Sequence, residues 1–556
     1  MEKNICFIEN YKDIEMVSKK PLLQNTIFIP LNLETFLFCK KKKFEIFDFK
    51  NNILNQFHKK ALLAGKKFID GLKFNHQLNY SLKSEIIFLL RFRLNSVLFI
   101  IDIINNLKKK YVISSIIVSG IDKKFHTNSE KENIASEIID NLYGAEYKVV
   151  KLSTNNYQEQ KPFLYRSQIS EKLDPKKKKI LLSNVGYNFL RFVKFFKKKN
   201  VSIYVPFFNK VFNIKKIYYY LKGFKPLVIK KKRNFEEKEK IFIKRIDYFY
   251  NSIDLSYLLN NFYNKYNFYF NEIYQHSIVL KNFINKNNFS LTISNITKGI
   301  HGSILDKEIN CNTLCVPHGI IAKAYNEHDE IYKKTIAEAV FNGESKFFAI
   351  QSKITERSLD THAIEGKKLT TGNLIFASIK KSFKKKKYIL QASTLKDFSN
   401  MQFLGVEMFY EYWDNLSILN RIAKDRKYKI IVKPHPTIKN CTYELQKIFK
   451  NLKFSNKSID HLLKRTSILI SYSSSVIEDS LNSFIPVILF DKASRYMHIN
   501  PFKSYNKILP INYVSSEIDL IETINCLRKE SIENFDKYVF KSNFKENIDK
   551  SILTLI

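Results

Sequence analysis

Glycine is scarce in this sequence of 556 residues, with only 13. No glycine-rich loop with a Walker lysine is present, so a phosphate site has to be built from other donors. Cysteine is sparse too. The six (Cys6, Cys39, Cys311, Cys315, Cys441 and Cys526) lie far apart except for Cys311 and Cys315. With no second pair or His partner, that spacing excludes a zinc site, and nothing suggests a disulfide framework. Free thiols in a reducing compartment are expected. The start lacks the apolar core of a signal peptide. The most apolar stretch, residues 86–104, is interrupted by Arg91, Arg93 and Asp102 and is too polar to span a bilayer. These absences predict a cytoplasmic chain whose membrane association, if any, is peripheral and at the inner face. No helix-turn-helix, zinc-finger or RNA-recognition signature occurs. No DxD pair stands at a strand end, so metal dependence is not indicated.

Positive charge is abundant. Lys and Arg number 93 against 53 Asp and Glu, a net charge of +40. The lysines are spread along the whole chain in short solvated runs such as Lys40–Lys43, Lys176–Lys179 and Lys384–Lys387. A nucleic-acid site would cluster them on one element, so no nucleic-acid partner is expected. A basic surface of this kind equally suits an anionic leaflet or a polyanionic acceptor. The enrichment in Lys, Asn, Ile and Phe reads as the codon bias of an AT-rich genome. An apolar fraction of 45% suffices for packed cores, and the length calls for two domains.

Periodicity predicts strand, loop, helix, strand in succession. Short strands are expected at Ile27–Leu31 and Phe44–Phe49, and helix over residues 51–110. Short segments rich in branched apolar residues predict buried parallel strands at Ile113–Val118, Ile180–Ser183, Val201–Val205 (stopped by Pro206), Leu291–Ser294 and Thr313–Val316. A helix is expected near Asn188–Phe196, a densely charged surface loop or exposed helix start over residues 230–245, and a helix over residues 246–288. The second half repeats the pattern with strands at Lys346–Ile350, Tyr388–Gln391, Lys429–Val432, Ser467–Ile470 and Val487–Phe490. Helices at Phe403–Lys424 and Val476–Asn482 lie between them. The fold class is therefore α/β, two Rossmann-like domains with helical additions in the N-terminal half. Residues 1–335 form the acceptor domain and 336–556 the donor domain, with the change near residues 325–345. Two open sheets in series place a ligand cleft between them, at the strand carboxyl ends.

Three constellations fall at such ends. His318 and Gly319 follow the Thr313–Val316 strand. An imidazole there can take a proton from a hydroxyl, while the glycine permits close backbone approach. Lys433 and His435, set in a turn stiffened by Pro434 and Pro436, can stabilise negative charge on phosphate. Ser473, Ser474 and Ser475 open a helix after the Ser467–Ile470 strand, adding hydroxyl donors to unpaired N–H groups. Glu478, one turn on, can accept bonds from ribose hydroxyls. The same residues also read as a plain helix cap with acids in the first turn. Ser393 and Thr394, after the Tyr388 strand, are further cleft-lining candidates, as is the loop Thr371–Asn373.

In this order His318-Gly319, Lys433–Pro436, the serines with Glu478, and Ile485–Ile488 resemble the motifs of bacterial surface-polysaccharide transferases. These include capsule polysaccharide synthesis proteins, CDP-glycerol glycerophosphotransferases and polysialyltransferases. The resemblance covers roughly residues 310–495. Before it, only a general α/β style and the Ile29–Glu34 opening match. It implies a GT-B fold, a CMP-, CDP- or UDP-linked donor as substrate, a lipid-linked or polysaccharide acceptor, and no obligatory metal or other cofactor. His435 and Ser473–Ser475 would then hold donor phosphate, and His318 would lie near the acceptor. The acidic pair-plus-glycine motif of the sialyltransferase kind is absent. Pro317 stands before His318, and Glu478-Asp479 follow the serines, which leaves the transferred group open. The expected activity is sugar or polyol-phosphate transfer to a surface glycan. The alternative is a nucleotide-sugar 2-epimerase or hydrolase of the same architecture, and a nucleic-acid-binding scaffold comes third.

Overall fold

The computed structural model describes the chain apart from residues 19–24, 50–53, 76, 121–133, 153–164, 170–172, 174, 185–188, 191–199, 208–213, 234–239, 320, 321, 325, 360–363, 380–387, 394, 396–406, 427, 493–496, 500–508, 542 and 543. Twenty strands, β1 to β20, are defined among the described residues.

Three parallel sheets form, one more than the sequence pattern suggests. The first joins β1 (Glu2–Ile8), β2 (Thr26–Pro30), β3 (Val112–Val118) and β4 (Lys148–Lys151) in the order β2-β1-β3-β4. Its central strands end in Ile5–Ile8 and Ile116–Val118, apolar segments buried on both faces, as parallel sheets covered by helices require. The chain leaves β2 into the helix Leu33–Lys42 through a reciprocal cap. Thr35 N donates to Asn32 Oδ1 at 2.9 Å, and Asn32 N donates to Thr35 Oγ1 at 3.3 Å. The expected strand at Phe44–Phe49 is reduced to a single bridge, Ile46 with Phe28. Its phenylalanines pack instead as side chains, Phe44 stacking on Phe28 and Phe49 on Tyr410.

The helical additions are Leu54–Asp70, Tyr80–Lys108 and Ser256–Lys286. Tyr80–Lys108 is buried along most of its length. Its wholly buried Arg93 lies 5.1, 5.6 and 5.1 Å from the rings of Phe92, Phe262 and Tyr266. Arg91 pairs with Glu338 at 3.4 Å. The apolar stretch read in the sequence is thus the centre of a packed core. Among the described residues no helix is long and apolar enough to cross a membrane.

The second sheet begins with β5 (Tyr165–Ile169), β6 (Lys178–Leu182), β7 (Val201–Phe207) and β8 (Lys225–Arg233). A short hairpin, β9 (Phe249–Tyr250) with β10 (Ile253–Asp254), precedes the Ser256–Lys286 helix. The sheet resumes with β11 (Leu291–Ser294), β12 (Asn312–Cys315), β13 (Phe347–Ile350) and β14 (Lys367–Thr370). Its order is β14-β13-β12-β11-β6-β7-β8-β5, parallel except for β5 against β8. The charged segment expected as surface over residues 230–245 is partly strand, since β8 runs to Arg233. The helix expected near 188–196 falls largely outside the described residues. Strand β7 continues through Pro206. Its pairing with β6 ends at Tyr204, so the missing proline N–H interrupts no bond on that side.

The third sheet comprises β15 (Tyr388–Ala392), β16 (Ile430–Lys433), β17 (Lys453–Phe454), β18 (Thr466–Ser471), β19 (Val487–Phe490) and β20 (Ile511–Val514) in the order β17-β16-β15-β18-β19-β20, all parallel. Because β13 pairs with β12 and β14 with β13, the changeover between the two large sheets lies between Thr370 and Tyr388, later than the expected 325–345. The C-terminal helix Phe544–Ser551 then returns to the second sheet. Ile548, Ile552 and Leu555 join its core with Ile180, Leu291 and Leu314. Asn547 Nδ2 donates to Asn373 O at 2.9 Å, and Asn312 Nδ2 to Leu555 O at 2.7 Å.

Candidate functional site

In both large sheets the strand order reverses at an identifiable place. Chain direction runs β6, β7, β8 to one side and β11, β12, β13 to the other. It likewise runs β15, β16, β17 one way and β18, β19, β20 the other. The carboxyl ends beside β6/β11 and β15/β18 are therefore the crevices where open α/β sheets take ligands.

From the third sheet, β15 delivers Gln391 and Ser393, and β18 delivers Ser471 through Ser475. Gln391 Nε2 donates to Ser393 Oγ at 3.0 Å, and Ser471 Oγ to Ala392 O at 2.5 Å. Tyr472 N reaches Ser393 Oγ at 3.4 Å. The two strand ends are thereby stitched together. Ser473 is buried, whereas Ser474 and Ser475 are half-buried. Ser474 Oγ accepts from Val476 N at 3.3 Å, while Ser475, at the N-cap position, makes no side-chain cap bond. The side-chain cap expected of the cluster is absent at Ser475, and Ser474 meets the first helical N–H in its place. Thr394 lies outside the described residues.

On the neighbouring strand β16, Lys433 is half-buried, and burial lowers its pKa. His435 follows Pro434 and opens the tight helix Pro436–Cys441. Its Nδ1 lies 2.8 Å from Thr437 Oγ1 and 3.4 Å from Thr437 N. Accepting that main-chain N–H fixes the proton on Nε2. No hydrogen bond joins His435 to Ser473–Ser475 among the described contacts. The two groups end strands on either side of β15, about 10 Å apart across the edge at the usual strand spacing.

From the second sheet, β12 runs into Val316–Gly319. Val316 N donates to Ser294 O at 2.8 Å, and Gln351 Nε2 to Pro317 O at 2.9 Å, while Gln351 Oε1 accepts from Leu374 N at 3.1 Å. One amide therefore holds the His318 turn to the interdomain linker. Gly319 has φ of +125°, a conformation that L side chains rarely adopt. A Cβ built there would stand 3.7 Å from Glu478 Oε1, ordinary contact, so backbone conformation rather than space requires the glycine. The serine-helix end of the third sheet thus meets the His318 turn of the second.

Glu478, expected as an open ribose acceptor, is instead fully buried. Its Oε1 lies 3.2 Å from His498 Nε2 and faces the His318–Gly319 turn. Burial lowers the His318 pKa, and the Glu478 charge opposes that shift. Asp479 Oδ1 accepts from Ala377 N, and Ser483 Oγ from Ile379 N at 3.2 Å. The linker is thereby tied along the same helix, Val476–Asn482. The Thr371–Asn373 loop is occupied structurally, Asn373 Oδ1 accepting from Phe376 N at 2.8 Å.

Sequence reasoning missed four groups at these edges. His498 carries no local signal. Glu407, buried beside Ser393 and held by Asn415 Nδ2 at 2.6 Å, has its pKa raised to about 8, chiefly by burial. Asn295 and His301 follow β11, where the rule applied to His318 would have found them. Asn184 Nδ2 donates to Asn295 Oδ1 at 3.0 Å, and His301 Nδ1 lies 3.0 Å from Ser183 O.

Two Rossmann-like domains whose carboxyl edges meet in this way define a GT-B type α/β protein. No family model matches the chain, and no curated protein matches it. Among solved structures it is similar to UDP-GlcNAc 2-epimerase from Methanocaldococcus jannaschii, with 12% identity over 68% of this chain and 99% of that one, TM-score 0.37. It is similar to TarM of S. aureus (13% identity, 68% and 98% covered, TM-score 0.38). The wall teichoic acid polymerase TagF is a third (16% identity, 68% and 88% covered, TM-score 0.38). At TM-scores below 0.5 these similarities bear on neither donor nor reaction.

Proposed function

We propose that this protein is a glycosyltransferase moving a sugar, or a polyol phosphate, from a nucleotide-activated donor to a surface or capsular polysaccharide acceptor. The observation that supports this reading is the His318–Gly319 turn of one domain set against Glu478 on the serine-led helix of the other. His318, whose pKa burial lowers, takes the proton of the acceptor hydroxyl as the new bond forms. Glu478 stabilises the resulting imidazolium. Lys433, His435 Nε2–H and the Ser473–Ser475 hydroxyls offset charge on the departing nucleotide phosphate. The acceptor is a growing glycan, lipid-linked or polymeric, met at the inner face of a membrane. No metal or other cofactor is assigned a role, and nucleic acid is not a partner.

Transfer assays with His435→Ala and His318→Ala test the assignment. Each is expected to lose about 10²–10⁴-fold in rate with the fold retained. Full donor turnover in either variant would sink its role. Thermal shift against CMP, CDP, UDP and GDP identifies the base, since a ligand at a hundredfold excess over its Kd adds about 2.7 kcal/mol to native-state stability.

A facing imidazole and carboxylate also suits proton abstraction from a sugar carbon, which favours a nucleotide-sugar 2-epimerase as the second reading. Incubation with UDP-sugar and no acceptor separates the two, because only the epimerase produces an altered sugar.

A further inference from the structure

The helix Ile214–Lys222, which leads into β8, turns apolar residues outward. Ile217 is 47% exposed, Tyr218 46%, Tyr220 66% and Leu221 76%. Tyr219 alone among these five points inward, its ring 6.0 Å from Phe207 and 6.4 Å from Phe224. Exposed apolar residues scattered singly are ordinary on a protein surface, but four within five residues form a patch. The helix also carries three lysines, Lys215, Lys216 and Lys222, and no acid. Lys222 is exposed, with Nζ 5.5 Å over the Tyr218 ring.

We infer that this face docks on a membrane surface bearing anionic lipid headgroups. A short helix with an outward Ile, Leu and Tyr face and flanking lysines has the composition of an element lying in the interfacial plane. Its apolar side chains enter the acyl boundary, its tyrosines sit at headgroup level, and its ammonium groups meet phosphate. The chain's net charge of +40 attracts it to the same surface. A second copy fits less well, since symmetric pairing of two such helices would bring lysines against lysines. The helix connects β7 to β8 of the second sheet, so docking would hold that domain at the surface that carries a lipid-linked substrate. The membrane contact itself does not depend on the transferase reading.

The test is co-sedimentation of the full chain with vesicles of phosphatidylcholine, alone or mixed with phosphatidylglycerol, without nucleotide. The chain is expected to bind the mixed vesicles, less so in high salt. The I217S/Y220S/L221S variant should bind at least about tenfold more weakly. Serine at Tyr443 or Ile518, exposed residues beside the third sheet, should change nothing. If the triple variant loses its far-UV signal, Leu221→Asp alone decides the matter by the same loss. A parent chain that ignores anionic vesicles, a folded variant that binds as the parent does, or a parent dimer that the variant disperses would each overturn the inference. Because binding is read without sugar transfer, its failure is separate from failure of the proposed activity.

Discussion

An imidazole that accepts a proton at neutral pH has to be largely unprotonated beforehand, and the surroundings of His318 pull in both directions. Burial holds its pKa below the usual value, and the Glu478 carboxylate partly restores it. Activity should therefore fall on the acid side as His318 becomes protonated. Glu478→Gln removes the charge that favours the imidazolium, so the acid limb of kcat/KM should move to lower pH. The rate on the plateau should drop about 10- to 100-fold through weaker imidazolium stabilisation. A limb that stays in place would show that the carboxylate does not act on this ring. Glu407 gives the second residue-scale expectation. Its pKa is raised from 4.5 to about 8 by burial, so the folded state binds a proton that the unfolded chain releases between those values. Stability should then fall by about 1.4 kcal/mol per pH unit across that window. Glu407→Gln should flatten the slope, leaving stability near pH 5 little changed and raising it near pH 9, as read from urea unfolding at each pH.

The helix Glu327–Val340 links the two sides of the cleft. It carries a nearly fully buried ion pair, Asp329 with Lys333 at 2.7 Å, and Lys333 Nζ also donates to Lys323 O at 2.8 Å in the segment after the His318 turn. The intervening Tyr332 packs with Tyr472 of the serine loop. Removing one partner strands a buried charge, so Asp329→Ala should cost about 3–5 kcal/mol by denaturant titration, whereas the double replacement D329L/K333M should recover most of it. Much of this level was legible in the sequence. Buried parallel strands such as β18 and β19 announce themselves through the apolar runs Ile468–Ile470 and Val487–Phe490, and the helix Val476–Asn482 sits where the serines predict. What stayed hidden was pairing. Phe347–Ile350 looks like the opening strand of a new domain, yet it joins the sheet of β12, a choice made by partners distant in sequence. Phe44–Phe49 has strand composition but spends its rings on packing, and His498 meets Glu478 only through the fold.

At the scale of the whole molecule the chain does not simply place one domain after another. The first sheet leans on the domain of the third sheet. Phe36 of helix Leu33–Lys42 lies edge-on to Phe409 and to Trp413, each at 5.7 Å, and Trp413 in turn meets Phe449 at 5.0 Å. The C-terminal helix, meanwhile, returns to the second sheet. Each large domain is thus completed by a segment from the opposite end of the chain, which makes folding of the cleft a property of the full length. The tryptophan at 413, the sole one in the sequence, reports on the first of these seams. Phe36→Ala should remove about 3–5 kcal/mol of packing there and let water approach the indole. Trp413 emission should shift to the red in the folded variant, and its thermal transition should precede the far-UV transition, because the seam opens before the sheets melt. Coincident transitions with unshifted emission would mean that the first sheet is not held against the helix Phe409–Arg426.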